Sequence, residues 1–267
     1  MTFIYQLIAM LKKASLVGAF LLLLTSNGYA ATALCSIDTI PAVQSVSKVV
    51  DGDTLRLADG RRVRLIGINA PEMGGRGQRT EAYAVQATRR LTALVQASNN
   101  RVYLRTGEPS HDRYGRVLAH VYDGNGVSLE AQLVAEGLAY HTVVAPNTAL
   151  AECLSQAEQQ ARIQRLGLWK NPTFTHAEKI NAGGFTLLQG RIERVQRNRG
   201  GVWLELGHSV TVNIPLNALP SFKGQRFEQW QGRTLKTRGW LSERKGQQKK
   251  YAKWRLTVSH PSMLELQ

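Results

Sequence analysis

The stretch from Val49 to Glu72 constrains the fold of this chain more than any other part of its sequence. Residues 54–57 and 62–65 alternate apolar with polar side chains, which is the pattern of half-buried strands. Asp59 and Gly60 lie between them and form a strong turn signal, because both turn residues must tolerate a positive φ. The sequence therefore predicts a β-hairpin closed by a two-residue turn.

The register of that hairpin predicts which side chains share a face. A two-residue turn would pair Leu55 with Arg64 and place Asp53 diagonally from Arg64, at about 7–8 Å. A carboxylate and a guanidinium at that distance are suited to bind a divalent metal ion together with the phosphate that the ion neutralises. Pro71 stops the strand that follows, so Glu72 lies at the exit of that strand.

A second motif, DRYGR at residues 112–116, follows further along the chain. With DGDT at 51–54 and RLIGINAPE at 64–72, it resembles the staphylococcal nuclease family over about residues 44–169. The resemblance implies a five-stranded barrel of the oligonucleotide-binding type. It also implies a thermonuclease-like enzyme that hydrolyses phosphodiester bonds of DNA, RNA or both, with Ca²⁺ as its ion.

The resemblance assigns roles to single residues in these motifs. Asp53 matches a metal-binding aspartate, and Ala70 matches a position whose backbone carbonyl binds the metal. Glu72 matches a glutamate near the metal that is proposed as the general base. Arg64 and Arg116 match the phosphate-binding arginines of the catalytic group, whose planar fork can make bidentate bonds to phosphate oxygens.

Other motif positions are less directly assigned. Asn69 stands where the family has a second metal-binding aspartate, so its uncharged amide predicts weaker Ca²⁺ binding or the use of another divalent ion. Arg113 and Tyr114 are predicted to position the substrate. Asp51 is expected to organise the turn before Asp53 rather than to bind metal.

One departure from the family concerns the nucleotide site. After Gly137, residues 140–144 reach Pro146 one residue short of the family spacing. The tyrosine that would line the nucleotide site in that segment has no certain counterpart here. The preference for a base is therefore left open by the sequence.

The fold class that these patterns predict is mainly β with packed helices, an α+β arrangement. Helices are expected at 80–97, with Thr80 as N-cap, at 128–136, and from Asn147 to about residue 166. Short alternating strands after residue 184 predict a second small β-barrel. The predicted divisions are a signal peptide at 1–30, an N-terminal tail at 31–43, a nuclease-like domain at 44–169, a linker at 170–184 and a basic barrel at 185–267.

The N-terminal residues have the composition of a secretory signal. Lys12 and Lys13 precede a short apolar run, and Gly28-Tyr29-Ala30 offers small residues at the cleavage positions. Export to the periplasm or outside the cell is expected, with anchoring by an uncleaved segment as the alternative. In that oxidising environment Cys35 and Cys153 either pair or remain two free thiols.

The C-terminal segment carries most of the excess positive charge. Residues 183–267 contain 15 basic and 5 acidic residues, a net charge of +10 in a chain of net charge +15. This balance predicts a polyanionic partner, either nucleic acid or an anionic envelope surface. Tyr251 and Trp254, beside a lysine run, are predicted to contact nucleic acid, whereas Trp203 and Trp240 are predicted to be core residues.

Two other functions remain compatible with the sequence. One is a non-catalytic nucleic-acid-binding protein, which the neutral Asn69 favours and the retained Glu72 and arginines oppose. The other is a protein that binds an anionic envelope through its basic domain. A monomer without a small-molecule cofactor is expected in each case.

Overall fold

A computed structural model of this chain describes residues 35–37, 39, 41–75, 77, 79–244 and 252–267. The predicted signal peptide at 1–30 and Tyr251 lie outside the described residues. Among the helices that the structure describes, none has the length and apolar character needed to cross a membrane.

The first half of the chain closes into a five-stranded barrel, as predicted. Its strands follow the order β1-β2-β3-β6-β5, and all neighbours are antiparallel except β3 and β6, which are parallel. A short strand, β4, lies outside the barrel. The strands are β1 (Val43–Val49), β2 (Thr54–Leu57), β3 (Arg62–Leu65), β4 (Ile68–Asn69), β5 (Arg101–His111) and β6 (Val117–Tyr122).

Three helices pack on this barrel and share its apolar core: α1 (Ala84–Ala97), α2 (Leu129–Ala135) and α3 (Ala151–Ile163). The Ser128 hydroxyl caps α2 by accepting a hydrogen bond from the Ala131 amide at 3.2 Å. The prediction that α1 begins after Thr80 is wrong. Glu81 instead bonds to the backbone of Glu72 through its amide and its carboxylate, so the chain enters the helix later.

The predicted register of the hairpin is wrong by one residue. Thr54 pairs with Arg64 and Leu55 with Val63. A hydrogen bond from the Leu57 amide to the Arg61 carbonyl closes a three-residue loop, in which Gly60 has φ 90°. A glycine with positive φ at the last loop position is typical of three-residue hairpins and shifts the pairing relative to a two-residue turn.

The second half of the chain repeats the strand order of the first. Successive pairing of β9, β10, β11, β13 and β12 closes a ring, because β12 also pairs with β9. Here too a single neighbouring pair in the ring, β11 and β13, is parallel. The strands are β7 (Tyr140–His141), β8 (Thr175–His176), β9 (Gly184–Asn198), β10 (Gly201–Leu206), β11 (Val210–Ile214), β12 (Thr234–Glu243), β13 (Trp254–Thr257) and β14 (Leu264–Leu266).

Contacts join the two barrels along one side. Ion pairs connect Arg238 of β12 to Glu158 of α3 at 2.7 Å, and Arg162 of α3 to Glu265 of β14. Tyr140 of β7 packs between Trp169 and Phe185, with ring centroids 5.4 Å from each. Segment 170–184, the predicted linker, includes β8, which pairs in parallel with β9.

A disulfide joins the N-terminal tail to α3. Cys35 and Cys153 are bonded, with their Cα atoms 5.6 Å apart and a sequence separation of 118 positions. Of the two alternatives that the sequence left open, the structure therefore has the paired one.

Candidate active site

A tight turn between β1 and β2 carries the first acidic side chains of the site. Asp51 Oδ1 accepts a hydrogen bond from the Asp53 amide at 3.0 Å, which is the turn-forming role predicted for Asp51. Gly52 leaves no room for a side chain, since a Cβ there would lie 2.6 Å from the Ala70 Cβ and 2.7 Å from the Ala87 Cβ. Glycine thus lets the turn pack directly on the exit of β4 and on α1.

Asp53 is buried, with 5% of its surface exposed. Its Oδ1 accepts from the Thr54 hydroxyl at 3.1 Å, and its Oδ2 accepts from the Ala70 amide at 2.9 Å. The same Oδ2 lies 3.1 Å from Arg64 Nη2, so the predicted pairing of Asp53 with Arg64 exists despite the shifted register. A carboxylate has about four lone-pair positions, so these three contacts leave capacity for a further partner.

Arg64 is held by backbone carbonyls at the end of β3 and in β4. Its Nη2 donates to the Ile68 carbonyl at 3.0 Å, and its Nη1 donates to the Leu65 carbonyl. Its side chain keeps 13% of its surface exposed beside Asp53. Because the guanidinium is already fixed, it would lose little side-chain entropy on binding a phosphate oxygen.

Glu72 follows Pro71 at the exit of β4, where its amide donates to Glu81 Oε2 at 2.9 Å. Partial desolvation, followed by the negative charges of Asp53 and Asp51, raises the pKa of Glu72. Burial and the charge of Asp53 also raise the pKa of Asp51. The three carboxylates are therefore close enough to repel one another.

The oxygen atoms in this group fit a hard divalent cation. Asp53 and Glu72 offer carboxylates, the buried Asn69 offers an amide oxygen, and Ala70 offers a backbone carbonyl. Ca²⁺ binds such mixed oxygen sets, and its charge would offset the repulsion between the carboxylates. Within the described residues no three His, Cys, Asp or Glu side chains form a metal-holding group, so a cation bound here would need the amide and carbonyl oxygens as well.

The turn before β6 presents the second arginine. Asp112 Oδ1 accepts from the amides of Tyr114 and Arg116, each at 2.9 Å, and its Oδ2 accepts from Arg116 Nε at 2.7 Å. Burial acts to raise the pKa of Asp112, but these hydrogen bonds outweigh it and hold the pKa below its usual value. Asp112 thus remains ionised and orients Arg116.

Arg113 and Tyr114 lie on the exposed side of the same turn. Arg113 Nη2 donates to the Tyr114 hydroxyl at 2.6 Å, and its guanidinium lies 4.8 Å from the centroid of the Tyr114 ring. Tyr114 has 58% of its surface exposed. Its ring is therefore available to a bound molecule.

A cleft of about 570 Å³ brings these arginines together. Arg64 and Arg116 share it with Arg113 and Tyr114, whereas Asp53, which contacts Arg64, and Glu72 are not part of its lining. Its remaining wall is largely apolar and is built by residues of β4, β5 and β6, by the segments beside β4 and β7, and by one side chain of the second barrel. These lining residues include Ile66, Ile68, Pro109, Leu118, Val144, Ala145 and Trp240.

The tryptophan predictions for the second barrel need correction. Trp254, predicted to contact substrate, is 5% exposed and belongs to the apolar core, where its strand pairs on both sides. Trp240, predicted to be core, is 43% exposed and lines the cleft. Alternation along a strand gives two faces but not which face a neighbouring domain covers, so the sequence carried no signal for this position.

Several known proteins are similar to this chain. The family model described as staphylococcal nuclease homologue matches residues 62–171. The thermonuclease of Staphylococcus intermedius is 33% identical over 128 residues, which cover 47% of this chain and 74% of the relative.

Two further relatives match over similar or longer spans. The thermonuclease of Staphylococcus hyicus is 34% identical over 133 residues, covering 47% of this chain and 75% of the relative. The micrococcal nuclease of Shigella flexneri is 33% identical over 159 residues, covering 53% and 84%. With the motifs, the closed barrel and these similarities, the chain belongs to the staphylococcal nuclease family.

Proposed function

We propose that this protein is an exported, metal-dependent nuclease that hydrolyses phosphodiester bonds of DNA, RNA or both, with Ca²⁺ as its ion. The observation that carries the proposal is the position of Arg64. It contacts the carboxylate of Asp53 on one side and lines the same cleft as Arg116 on the other. A group able to take a cation thus adjoins two guanidinium groups able to hold a phosphate.

The arginines address the main obstacle to this reaction. A phosphodiester carries a negative charge that repels an attacking water or hydroxide. Arg64 and Arg116, each fixed by a carboxylate, would bind the phosphate oxygens and stabilise the charge that develops in the transition state. A bound divalent cation would add further positive charge beside the phosphate.

Glu72 is the proposed general base. Its carboxylate would take a proton from the attacking water. The neighbouring charges of Asp53 and Asp51 and partial desolvation raise its pKa, which makes it a stronger proton acceptor than an isolated glutamate. The backbone amide of Glu72 is bonded to Glu81, so the backbone from which the Glu72 side chain extends has a defined position.

Export is supported by two features. The predicted signal peptide precedes Cys35, and the Cys35–Cys153 bond is of a kind that persists in oxidising compartments. Fractionation of expressing cells, with N-terminal sequencing of the protein, tests this part. A protein that stays in the cytosol with residues 1–30 intact would contradict export.

The catalytic part is tested by digestion of single-stranded DNA and RNA under a Ca²⁺ titration, with EDTA as control. We expect cleavage that rises with Ca²⁺ and disappears with EDTA. Binding without cleavage at any divalent-ion concentration would instead support the non-catalytic nucleic-acid-binding alternative. Failure to bind nucleic acid, with binding to anionic vesicles, would support the envelope alternative.

A further inference from the structure

The cleft beside the phosphate-binding arginines is walled by two aromatic side chains from opposite parts of the chain. Tyr114 comes from the turn before β6, and Trp240 comes from β12 of the second barrel. Both are well exposed, at 58% and 43% of their surfaces. The second barrel therefore contributes directly to a cleft that the family motifs assign to the first.

The position of Trp240 follows from how β12 docks on the first barrel. Leu235, Thr237 and Leu241 face the core of the second barrel, so Arg238 and Trp240 share the opposite face. Residues two apart on a strand lie about 6.6 Å from one another. Whatever fixes Arg238 thus also sets the location of Trp240.

Arg238 is fixed firmly to β7 and to α3, the helix that packs on the first barrel. It is 3% exposed, its Nε donates to the His141 carbonyl at 2.6 Å, and its Nη2 lies 2.7 Å from Glu158 Oε2. His141 belongs to β7, which pairs with β4, the short strand that contains Asn69. The buried ion pair consequently places Trp240 beside the loop that carries Val144.

Aromatic packing fixes the indole itself. The ring of Trp240 packs against Phe185 at 5.2 Å with an interplanar angle of 68°. Phe185 in turn stacks on Tyr140 at 5.4 Å and 29°. A flat apolar ring is thereby held at the cleft by Phe185 of β9, which Tyr140 of β7 supports in turn, with almost half of its surface free.

The chemistry of the cleft matches that of one nucleotide. Arg64 and Arg116 supply positive charge, whereas Val144, Leu118 and Trp240 supply apolar and aromatic surface. A nucleotide likewise has a charged phosphate and a flat apolar base. Base–aromatic stacking adds affinity with little dependence on base identity.

We propose that Trp240 stacks on the base of the nucleotide whose phosphate Arg64 and Arg116 hold. This inference rests on the proposed nuclease function and makes the second barrel part of the substrate site. It also supplies an aromatic wall where segment 140–144 lacks a certain counterpart of the family's tyrosine. Trp240 would then determine how strongly the protein prefers a nucleotide over a bare sugar phosphate.

The test compares cleavage of two short single-stranded oligonucleotides, one intact and one with a single abasic site next to the scissile bond. We expect Trp240→Ala to lower kcat/KM for the intact substrate by about 5- to 150-fold, the range expected for loss of one base-stacking contact. The abasic substrate should be cleaved equally by both proteins. Trp240→Phe should keep part of the preference for the intact over the abasic substrate, because a smaller ring still stacks.

The control variant is Trp203→Ala. Trp203 is a partly exposed tryptophan of the same barrel that bonds to Asn198 and lies outside the cleft lining. It should leave cleavage of both substrates unchanged. Melting curves of all variants show whether the fold is kept.

The outcomes separate this inference from the function on which it rests. An active wild-type protein whose Trp240→Ala variant cleaves the intact oligonucleotide equally well would overturn the stacking role alone. Equal losses on the intact and the abasic substrates would also overturn it, since they would mean a structural effect. A wild-type protein that cleaves neither oligonucleotide would overturn the proposed function and the stacking role with it.

Discussion

Asp53 links three parts of the chain through one carboxylate. It contacts Thr54 beside it, Arg64 across the hairpin and the Ala70 amide beyond β4. These contacts hold the hairpin, the exit of β4 and the guanidinium of Arg64 in one arrangement. Removal of the Asp53 charge would therefore affect both the proposed cation site and the arginine.

Glu72→Gln should lower kcat by about 10²–10⁴-fold, because glutamine cannot accept the proton from water. Calcium binding should persist, since the amide keeps an oxygen ligand. Steady-state kinetics on single-stranded DNA and a calorimetric Ca²⁺ titration measure the two effects. Glu81→Gln is the matched control, because it keeps an acceptor for the Glu72 amide. Near-normal turnover of Glu72→Gln would remove Glu72 from the role of base.

Asn69→Asp should tighten Ca²⁺ binding by adding a charged oxygen to a group that now has a neutral one. The same change adds a negative charge beside Asp53, so the effect depends on the metal being bound there. Calorimetric titration measures the Ca²⁺ affinity of Asn69→Asp, which gains a charged ligand, and of Asn69→Ala, which loses the amide ligand. Unchanged affinity in both variants would mean that Asn69 does not contact the ion.

The elements of both halves follow one topological plan. Each barrel places its third and fifth strands in parallel, and each closes through its first and fourth strands. In the first barrel the parallel pairing sets β3 beside β6, so that Arg64 and Arg116 approach the same cleft. The strand order, rather than any sequence neighbourhood, therefore joins the two motifs.

The disulfide stabilises this arrangement by tying the tail before β1 to α3. Reduction, or Cys153→Ala, should lower the free energy of unfolding by about 2–4 kcal/mol, because the bond closes a long loop in the unfolded chain. Urea unfolding with and without a reductant measures the difference. The reductant should have no effect on the Cys153→Ala variant. Equal stability of oxidised and reduced wild type would show that the bond adds nothing to folding.

At the scale of the whole molecule, buried polar groups join the two barrels. His141 Nε2 lies 3.0 Å from the Ser262 hydroxyl, its Nδ1 lies 3.2 Å from the Gly67 carbonyl, and its carbonyl accepts from Arg238. Burial, followed by the charge of Arg238, lowers the pKa of His141 to about 3. The junction therefore contains a neutral histidine at ordinary pH.

Stability should decrease as the pH falls below about 6.5. The unfolded chain would protonate His141 near the ordinary pKa of 6.5, whereas the folded protein would not until about pH 3. The contribution of neutral His141 to the free energy of unfolding is complete above pH 6.5 and is lost progressively as the pH falls toward 3. The facing groups in the junction are Arg238, Arg162, Glu158 and His260.

Melting temperatures between pH 7 and pH 5 test this dependence, because most carboxylates stay ionised in that range. His141→Asn keeps a donor for the Gly67 carbonyl but cannot titrate, so its melting temperature should fall less on acidification. An equal fall in the variant and the wild type would assign the pH dependence to other groups, such as His260.

The sequence alone determined the local elements and the chemistry of the motifs. Alternation defined β2 and β3 within their observed limits, and the motifs identified Asp53, Arg64, Glu72 and Arg116. These features depend on residue type and spacing over a few residues. The hairpin loop was the exception, since Asp59-Gly60 is compatible with both a two-residue and a three-residue turn and the difference shifts the whole register.

Only the tertiary structure decided which distant groups meet. Trp254 is buried because it points into the core of the second barrel, whereas Trp240 is exposed because it lies on the outer face of β12. The pairing of β4 with β7 and the ion pair between Arg238 and Glu158 likewise join segments with no sequence signal in common. Such contacts arise from the packing of complete surfaces, so residue patterns within one strand could not predict them.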